Sequence, residues 1–290
     1  MYRVSKVLNH NTVIAIQGKS NKEYLIMGKG IGFGKKVAER FELQADAQVY
    51  SLQEEKKGRD AREMVKTISP LFMEIASMLL DEAEKVFGKV DRGILFPMAE
   101  HIEFAVKRIS SGEEISNPLT NDIRVLFHPE FKVAEKIRPV LEKEHHLTIS
   151  DDEIGYITLH IHSAIEDMEV SSSMQAACLV RECISMIEKE TGMPIKVTSL
   201  SYNRLMNHIR YMLARAISGE KIKLNMNDYM ELKFPKAFNM AKYVCGKIEK
   251  SLNCRVDETE IGYLAMHIER GMSGDQEIRR SYKSIDKEKS

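Results

Sequence analysis

The sequence predicts a multidomain β plus all-α protein: a small antiparallel β-sheet module followed by two homologous α-helical bundle domains. Three observations carry this reading. Apolar residues alternate with a period of two over roughly the first fifty positions, and beyond residue 64 they recur about every 3.6. The helical part repeats itself at an offset of 107 residues. A chain of 290 residues, 43% hydrophobic and 30% charged, is also long enough for two or three cores.

The module comes first. Strand-like runs span Tyr2 to Leu8, Thr12 to Gln17, Lys22 to Met27 and a stretch near Val49 to Leu52. They are separated by the turn formers Asn9-His10-Asn11 and Gly18-Lys19-Ser20-Asn21, so the strands form an antiparallel meander. A domain this small buries only about 60% of its unfolded surface, which predicts self-association. A charged connector, Glu54 to Arg62, follows.

The first clear helix starts at Ser69, an N-cap residue with Pro70 at the first helical position. Its apolar stripe of Phe72, Ile75, Ala76, Leu79, Leu80, Ala83, Val86 and Phe87 ends at Gly88. Helical patterns then continue almost to the C-terminus, with loops expected around Gly112 to Pro118, Met168 to Ser173 and Gly219 to Asn227. The polar tail from Gly271 to Ser290 reads as disordered. The expected domains are 1–57, 64–170 and 171–275, with a tail at 276–290.

Aligned without a gap, residues 101–161 match residues 208–268 at 18 of 61 positions. His101-Ile102 recurs as His208-Ile209, Ser111-Gly112-Glu113 as Ser218-Gly219-Glu220, and Glu153-Ile154-Gly155-Tyr156 with His160-Ile161 as Glu260-Ile261-Gly262-Tyr263 with His267-Ile268. Ser150 with Glu153, and Asp257 with Glu260, each have the spacing of a capping box, so both copies start a helix at the same point.

Composition excludes several classes. No apolar run approaches the ~20 residues of a membrane helix, and the N-terminal MYRVSKVLNHN lacks the apolar stretch of a secretory signal, so a cytoplasmic protein without membrane insertion is expected. Cys178, Cys183, Cys245 and Cys254 form no CxxC pair and read as reduced core residues. No GxSxG, Walker or GxGxxG motif is present, and no cofactor or enzyme activity is expected. The net charge is zero, yet residues 1–36 carry a net +6, a local excess that suits phosphate binding.

Two features carry chemistry. Retention of His101, His160, His208 and His267 across the repeat points to imidazole nucleophiles, since packing would accept Leu or Gln there equally well. A metal site is disfavoured: His160 and His162 point to different helix faces, and the second copy has Glu269 in place of His162. The other feature is Gly28-Lys29-Gly30-Ile31-Gly32-Phe33-Gly34-Lys35-Lys36. Its glycines allow close backbone approach, its lysines meet phosphates, and Phe33 with Ile31 can stack on or wedge against bases. Asn9 and Asn11 in the facing turn carry amides that read base edges. Without a helix-turn-helix pattern, irregular RNA suits this module better than duplex DNA.

KVLNHN at Lys6 to Asn11, MGKGIGFGKK at Met27 to Lys36, EHIEFA at Glu100 to Ala105 and EIGYITLHI at Glu153 to Ile161 together resemble the BglG/SacY-type transcriptional antiterminators over nearly the whole chain. The GKGIGFGKK wording is closest to the glucose-responsive subgroup. The resemblance implies a co-antiterminator RNA-binding domain and two phosphotransferase-system (PTS) regulation domains. It implies a dimer that clamps an RNA antiterminator hairpin in a nascent leader mRNA, so that the terminator cannot form. Lys6, Asn9, Asn11, Gly28, Lys29, Gly30, Ile31 and Phe33 match the RNA-contact motif. His101, His160, His208 and His267 match the phosphorylated histidines, with HPr and a sugar-specific PTS permease component as phosphate donors.

His10 stands where a third asparagine is more common, and Lys29 where many members have Arg. Phosphorylation is expected to act through dimer stability, with Arg108, Arg138, Arg215 and Lys221 as candidate partners of the phosphate. Because Glu100 precedes His101 where Asn207 precedes His208, the two copies are expected to respond oppositely to added charge. The rival reading is a histidine phosphocarrier or phosphotransfer enzyme of a sugar-uptake system using the same histidines.

Overall fold

A computed structural model describes residues 1–18, 22–52, 61–166, 170–192 and 199–272. The connector residues 53–60, the turn residues 19–21 and the tail beyond 272 therefore lie outside the described residues.

The N-terminal strands β1 (Tyr2–Asn9), β2 (Thr12–Gln17), β3 (Glu23–Met27), β4 (Arg40–Phe41) and β5 (Gln48–Ser51) form one antiparallel sheet in the order β4-β1-β2-β3-β5. Alternation places Val4, Val13, Ala15 and Ile26 on one face, where Tyr2, Ile31 and Phe41 complete the core. The meander reading gains a fifth strand at Arg40–Phe41. It is only two residues long and lies in a polar stretch, so no period of two announces it. Asn9 belongs to β1 and not to the turn. The β1–β2 register shifts between Val7 and Asn9, which sets Asn9 opposite Thr12 at the hairpin end.

The helices are α1 (Ala61–Thr67), α2 (Pro70–Phe87), α3 (Leu95–Ser110), α4 (Thr120–Leu126), α5 (His128–Ala134), α6 (Ile137–His145), α7 (Asp151–Glu166), α8 (Val170–Thr191), α9 (Leu200–Ser218), α10 (Asn227–Lys233), α11 (Pro235–Leu252) and α12 (residues 259–272). The expected stripe on α2 is buried: Phe72, Ile75, Ala76, Leu79, Leu80 and Ala83 face the core, joined by Met73 and Ser77. Each fully buried large apolar side chain there contributes about 1.5–3 kcal/mol. Val86 at the helix end is exposed instead. Ser69 starts α2 through its carbonyl, which accepts from the N–H of Phe72, and its side chain makes no cap bond.

One expected loop, Met168 to Ser173, is helical in its described part, while residues 167–169 lie outside the described residues. Residues 170–173 begin α8, where Ser173 is fully buried, although the serine run reads as a turn. Cys183 and Cys245 are buried and Cys178 and Cys254 half-buried, all as free thiols. Burial pushes the Cys183 and Cys245 thiols up to about 12.

The chain divides into two compact units, Met1–Asn117 with Pro129–Val170, and Pro118–His128 with Ser171–Ser290. This division differs from the repeat, because α4 packs within the second unit. There the Tyr202 hydroxyl on α9 donates to Asp122, and Arg210 donates to the Leu126 carbonyl. In the first unit, the sheet docks on α2 through Tyr50. Its hydroxyl lies 2.9 Å from Ser77 Oγ and accepts from Arg92 Nη1 at 3.1 Å, and Arg92 also grips Asp81 (2.5 Å) and Glu84 (2.6 Å).

The loop after β3 folds back on the hairpin end with no room to spare. A Cβ at Gly32 would overlap the Asn9 carbonyl oxygen, while the Gly32 N–H donates to the His10 carbonyl at 2.9 Å. Gly32→Ala is therefore expected to cost about 1–3 kcal/mol, as overpacking does. Thermal unfolding checks this: a lowered midpoint is expected, and a wild-type midpoint contradicts the close approach.

Candidate nucleic-acid interface and histidine pairs

Two segments meet at one end of the module, the hairpin end at residues 9–11 and the loop at residues 28–34. They are stitched together by short bonds: the Gly28 N–H donates to the Asn11 carbonyl (2.9 Å), the Gly30 N–H to Asn11 Oδ1 (2.9 Å), and the Asn11 N–H to Asn9 Oδ1 (2.8 Å). Gly30 (φ 71) and Gly34 (φ 69) take the left-handed conformation that glycine accepts at no steric cost. Phe33 projects 72% exposed with the His10 ring edge-on at 5.5 Å. Lys6 and Lys29 are exposed, Gly28 is half-buried, and Lys35 is engaged with Glu39 at 3.2 Å.

Ile31 corrects the expectation. It is 1% exposed and belongs to the sheet core, so its side chain anchors the loop and cannot wedge between bases. A glycine-flanked apolar residue reads the same whether it points in or out, and only the paired loop decides. The NH2 groups of Asn9 and Asn11 are not open to solvent alone: they donate to Glu74 of α2 at 2.6 and 3.1 Å.

The four histidines assemble into two pairs. On α3, His101 and Arg108 are seven residues apart and share a face; on α7, Glu153, Tyr156 and His160 share another. Glu153 is 2% exposed at its side chain, with Oε1 accepting from Arg108 Nη2 at 2.7 Å and Oε2 3.2 Å from His101 Nε2. The ring of His101 lies 5.4 Å from that of His160 and 5.7 Å from that of Tyr156.

The second copy repeats the cluster. Arg215 Nε and Nη2 donate to Glu260 Oε1 and Oε2 at 2.6 and 3.0 Å, His208 Nε2 lies 3.8 Å from Oε2, and the rings of His208 and His267 stack at 4.6 Å. Tyr263 takes the place of Tyr156.

Two expectations change here. Glu153 and Glu260 have capping-box spacing, yet their side chains turn inward to arginine and histidine. At these helix starts, the Ser150 hydroxyl accepts from the Glu153 N–H at 3.3 Å and Asp257 accepts from the Thr259 N–H at 3.0 Å. Of the four candidate cations, Arg108 and Arg215 reach the clusters. Arg138 instead pairs with Asp151 and Lys221 lies near Asp257. The expected difference between Glu100 and Asn207 is joined by a likeness: Glu153 and Glu260 put a buried carboxylate against both histidine pairs, so a carboxylate neighbour is not confined to the first copy.

What differs is the grip: Arg108 takes one oxygen of Glu153, leaving the other to His101, whereas Arg215 spans both oxygens of Glu260. Tyr156, Tyr263, Glu153, Glu260 and the two arginines were all visible in the repeat, as positions identical in both copies.

Burial dominates the electrostatics. Burial, and then the neighbouring His101, bring His160 down to about 3; burial, then His267 and Arg215, do the same for His208. His267 is lowered by burial and by Arg270 and Arg204. Burial pushes the Glu153 carboxyl up, but His101 and Arg108 outweigh it and hold the group below the ordinary range. His160 and His208 are therefore neutral imidazoles at neutral pH, each with a nitrogen lone pair able to attack an electrophile. His162 is a separate pair, its Nδ1 3.1 Å from Glu130 Oε1. Among the described residues, no group of three or more His, Cys, Asp or Glu is placed to hold a metal ion.

The sheet module with its paired segments is thus followed by two helical copies that carry His–Glu–Arg–His clusters. Residues 2–59 match the CAT RNA binding domain, and residues 74–164 and 181–271 each match the PRD domain. The chain belongs to the BglG/SacY-type transcriptional antiterminators, built from one CAT domain and two PRD domains.

Among its relatives, "Protein GlcT" of Staphylococcus haemolyticus is 28% identical over 274 residues, covering 92% of this chain and 95% of that protein. The "GlcA/glcB genes antiterminator" of Staphylococcus carnosus is 27% identical over 275 residues, covering 92% and 94%. A solved structure described as "Crystal structure of GlcT CAT-PRDI" is 28% identical, with a TM-score of 0.49, and covers 57% of this chain and 98% of that one. Among the described residues, no helix is long and apolar enough to cross a membrane.

A pH dependence follows from the depressed histidines. In the unfolded chain they titrate near 6.5, and in the folded chain His160 and His208 titrate near 3. Between these values the unfolded state binds more protons, so the stability present above pH 6.5 is lost as pH falls toward 3. Thermal unfolding of wild type and of a His160→Gln/His208→Gln variant across pH 4–7 is expected to show a shallower pH slope for the variant. Equal slopes contradict the assignment.

Proposed function

We propose that this chain is a sugar-responsive antiterminator that binds an RNA antiterminator hairpin in a nascent leader mRNA and is controlled by histidine phosphorylation. The donors are HPr and a sugar-specific PTS permease component, and the RNA-binding form is a homodimer. The observation that carries this reading is the duplicated cluster of two histidines around an arginine-held carboxylate, following an exposed Gly-Phe-Gly loop. The name of the Staphylococcus carnosus relative supports target genes of the glc type.

Phosphorylation has a direct physical consequence at these pairs. A phosphoryl group adds about 1.5–2 negative charges at neutral pH, and the buried carboxylate already lies 3.2 Å from His101 and 3.8 Å from His208. Like unit charges about 4 Å apart cost on the order of 1 to 4 kcal/mol at effective dielectrics of ~80 to ~20. Accepting phosphate therefore requires the helix pair to shift or the arginine to change partner. Arg215 already spans Glu260 and screens it better, so the second copy tolerates the charge more readily than the first.

The rival phosphocarrier reading fares worse, because a carrier has no use for the CAT RNA binding domain that residues 2–59 match.

Two measurements test the proposal. Labelled phosphate passed through HPr and a permease component is expected on the wild type and lost in a variant with all four of His101, His160, His208 and His267 changed to Ala. Equal labelling of both, or none of the wild type, contradicts it. Hairpin binding by the full chain is expected to weaken with salt, and Phe33→Ala to cost about 1–3 kcal/mol if the ring stacks on a base. A wild-type affinity for that variant removes Phe33 from the contact.

A further inference from the structure

We propose that Glu74 is a built-in occupant of the RNA-reading site, a carboxylate that holds the hairpin's outward donors and competes for them with the phosphate oxygens of an RNA ligand; the inference rests on the RNA-binding reading above. Three donors converge on this one side chain. Asn9 Nδ2 reaches Oε1 at 2.6 Å, Asn11 Nδ2 reaches Oε2 at 3.1 Å, and Thr12 Oγ1 reaches Oε1 at 3.3 Å, across 62 to 65 residues of sequence.

The oxygen of each amide is already engaged within the module. The Oδ1 of Asn9 is spent on the Asn11 N–H and the Oδ1 of Asn11 on the Gly30 N–H, bonds that fix the two loops to each other. What faces Glu74 is therefore a set of NH2 and OH donors, the fully buried Thr12 hydroxyl among them, and an anion with two oxygens fills it. A carboxylate and a phosphate are equivalent acceptors for such donors.

Glu74 is held in place and is not a wandering surface rotamer. Glu74, Ser77, Asp81 and Glu84 recur at three- and four-residue spacing and form one polar face of α2. Ser77 meets Tyr50 of β5, and Asp81 and Glu84 are gripped by Arg92, which also bonds Tyr50. The helix is thus fixed to the sheet at one end while Glu74 reaches the hairpin at the other. In this closed arrangement Phe33 is exposed while each amide has one N–H committed to Glu74, so RNA can make its stacking contact before its full set of polar ones. Full engagement requires Glu74 to leave, and the apparent affinity falls by the fraction of molecules in which it has left.

The test uses the full chain and one antiterminator-type RNA hairpin, with affinity measured by fluorescence anisotropy at fixed salt. Glu74→Ala is expected to bind about tenfold more tightly than wild type, with Glu74→Gln between them because its amide retains one acceptor. Glu82→Gln is the charge-matched control: it lies on the same helix but pairs with Lys85 and Lys136, away from the hairpin, and is expected to bind as wild type does.

Unchanged affinity of both Glu74 variants overturns the inference while leaving the RNA reading intact. Equal tightening by Glu82→Gln also overturns it, because the gain is then general charge removal. If wild type and every variant fail to bind the hairpin, the RNA reading itself is wrong and the inference falls with it. Should Glu74→Ala unfold, Glu74→Gln alone decides by the same comparison.

Discussion

A carboxylate buried at the start of a helix and clamped by an arginine seven residues beyond a histidine is the constraint on which each helical copy depends. Glu153 and Glu260 are each 2% exposed. An unpaired charge so buried would cost several kcal/mol, so each must have its cation, and the cation's helix must lie against it. Arg108 on α3 and Arg215 on α9 meet that need, and the arrangement carries His101 and His208 to the same carboxylates. Packing and chemistry are thereby joined: the interaction that sets the helix pair is also the one that a charge on the histidine disturbs.

The same logic of anion and donor recurs at the module. Here the anion, Glu74, comes from α2, and the donors belong to the hairpin end proposed above to bind RNA. Signals in such a protein can travel by exchange of electrostatic partners, since a two-state contact needs only a small difference in interaction free energy to be biased. The polar face of α2 touches the hairpin through Glu74 and the sheet edge through Ser77, while Asp81 and Glu84 hold Arg92, which in turn bonds Tyr50.

Much of this was legible in the sequence, for identifiable reasons. The change from a period of two to about 3.6 separated sheet from helices, and the stripe on α2 was read almost residue by residue, because solvent exclusion acts on one face of a regular element. The 107-residue repeat showed which polar residues are paired. What the sequence hid depends on partners distant in the chain. Glu153 obeys a local capping rule and a long-range clamp at once, and the clamp wins because the helix start has Ser150 to serve it. Ile31 looks like an exposed wedge until the facing hairpin closes over it. β4 has too few residues to show a period, and Glu74 is an ordinary helical glutamate until the hairpin 62 to 65 residues away is placed beside it.

The central claim, that charge at a histidine is sensed through the buried carboxylate, is tested most directly by hydrogen exchange at the first turn of α7. A His101→Asp chain places a negative charge at the pair, and a His101→Gln chain changes shape without charge. The account predicts that amides of residues 151–156 exchange faster in the Asp chain than in wild type or the Gln chain, because Arg108 must then divide itself between two carboxylates. Equal protection in all three chains would contradict it.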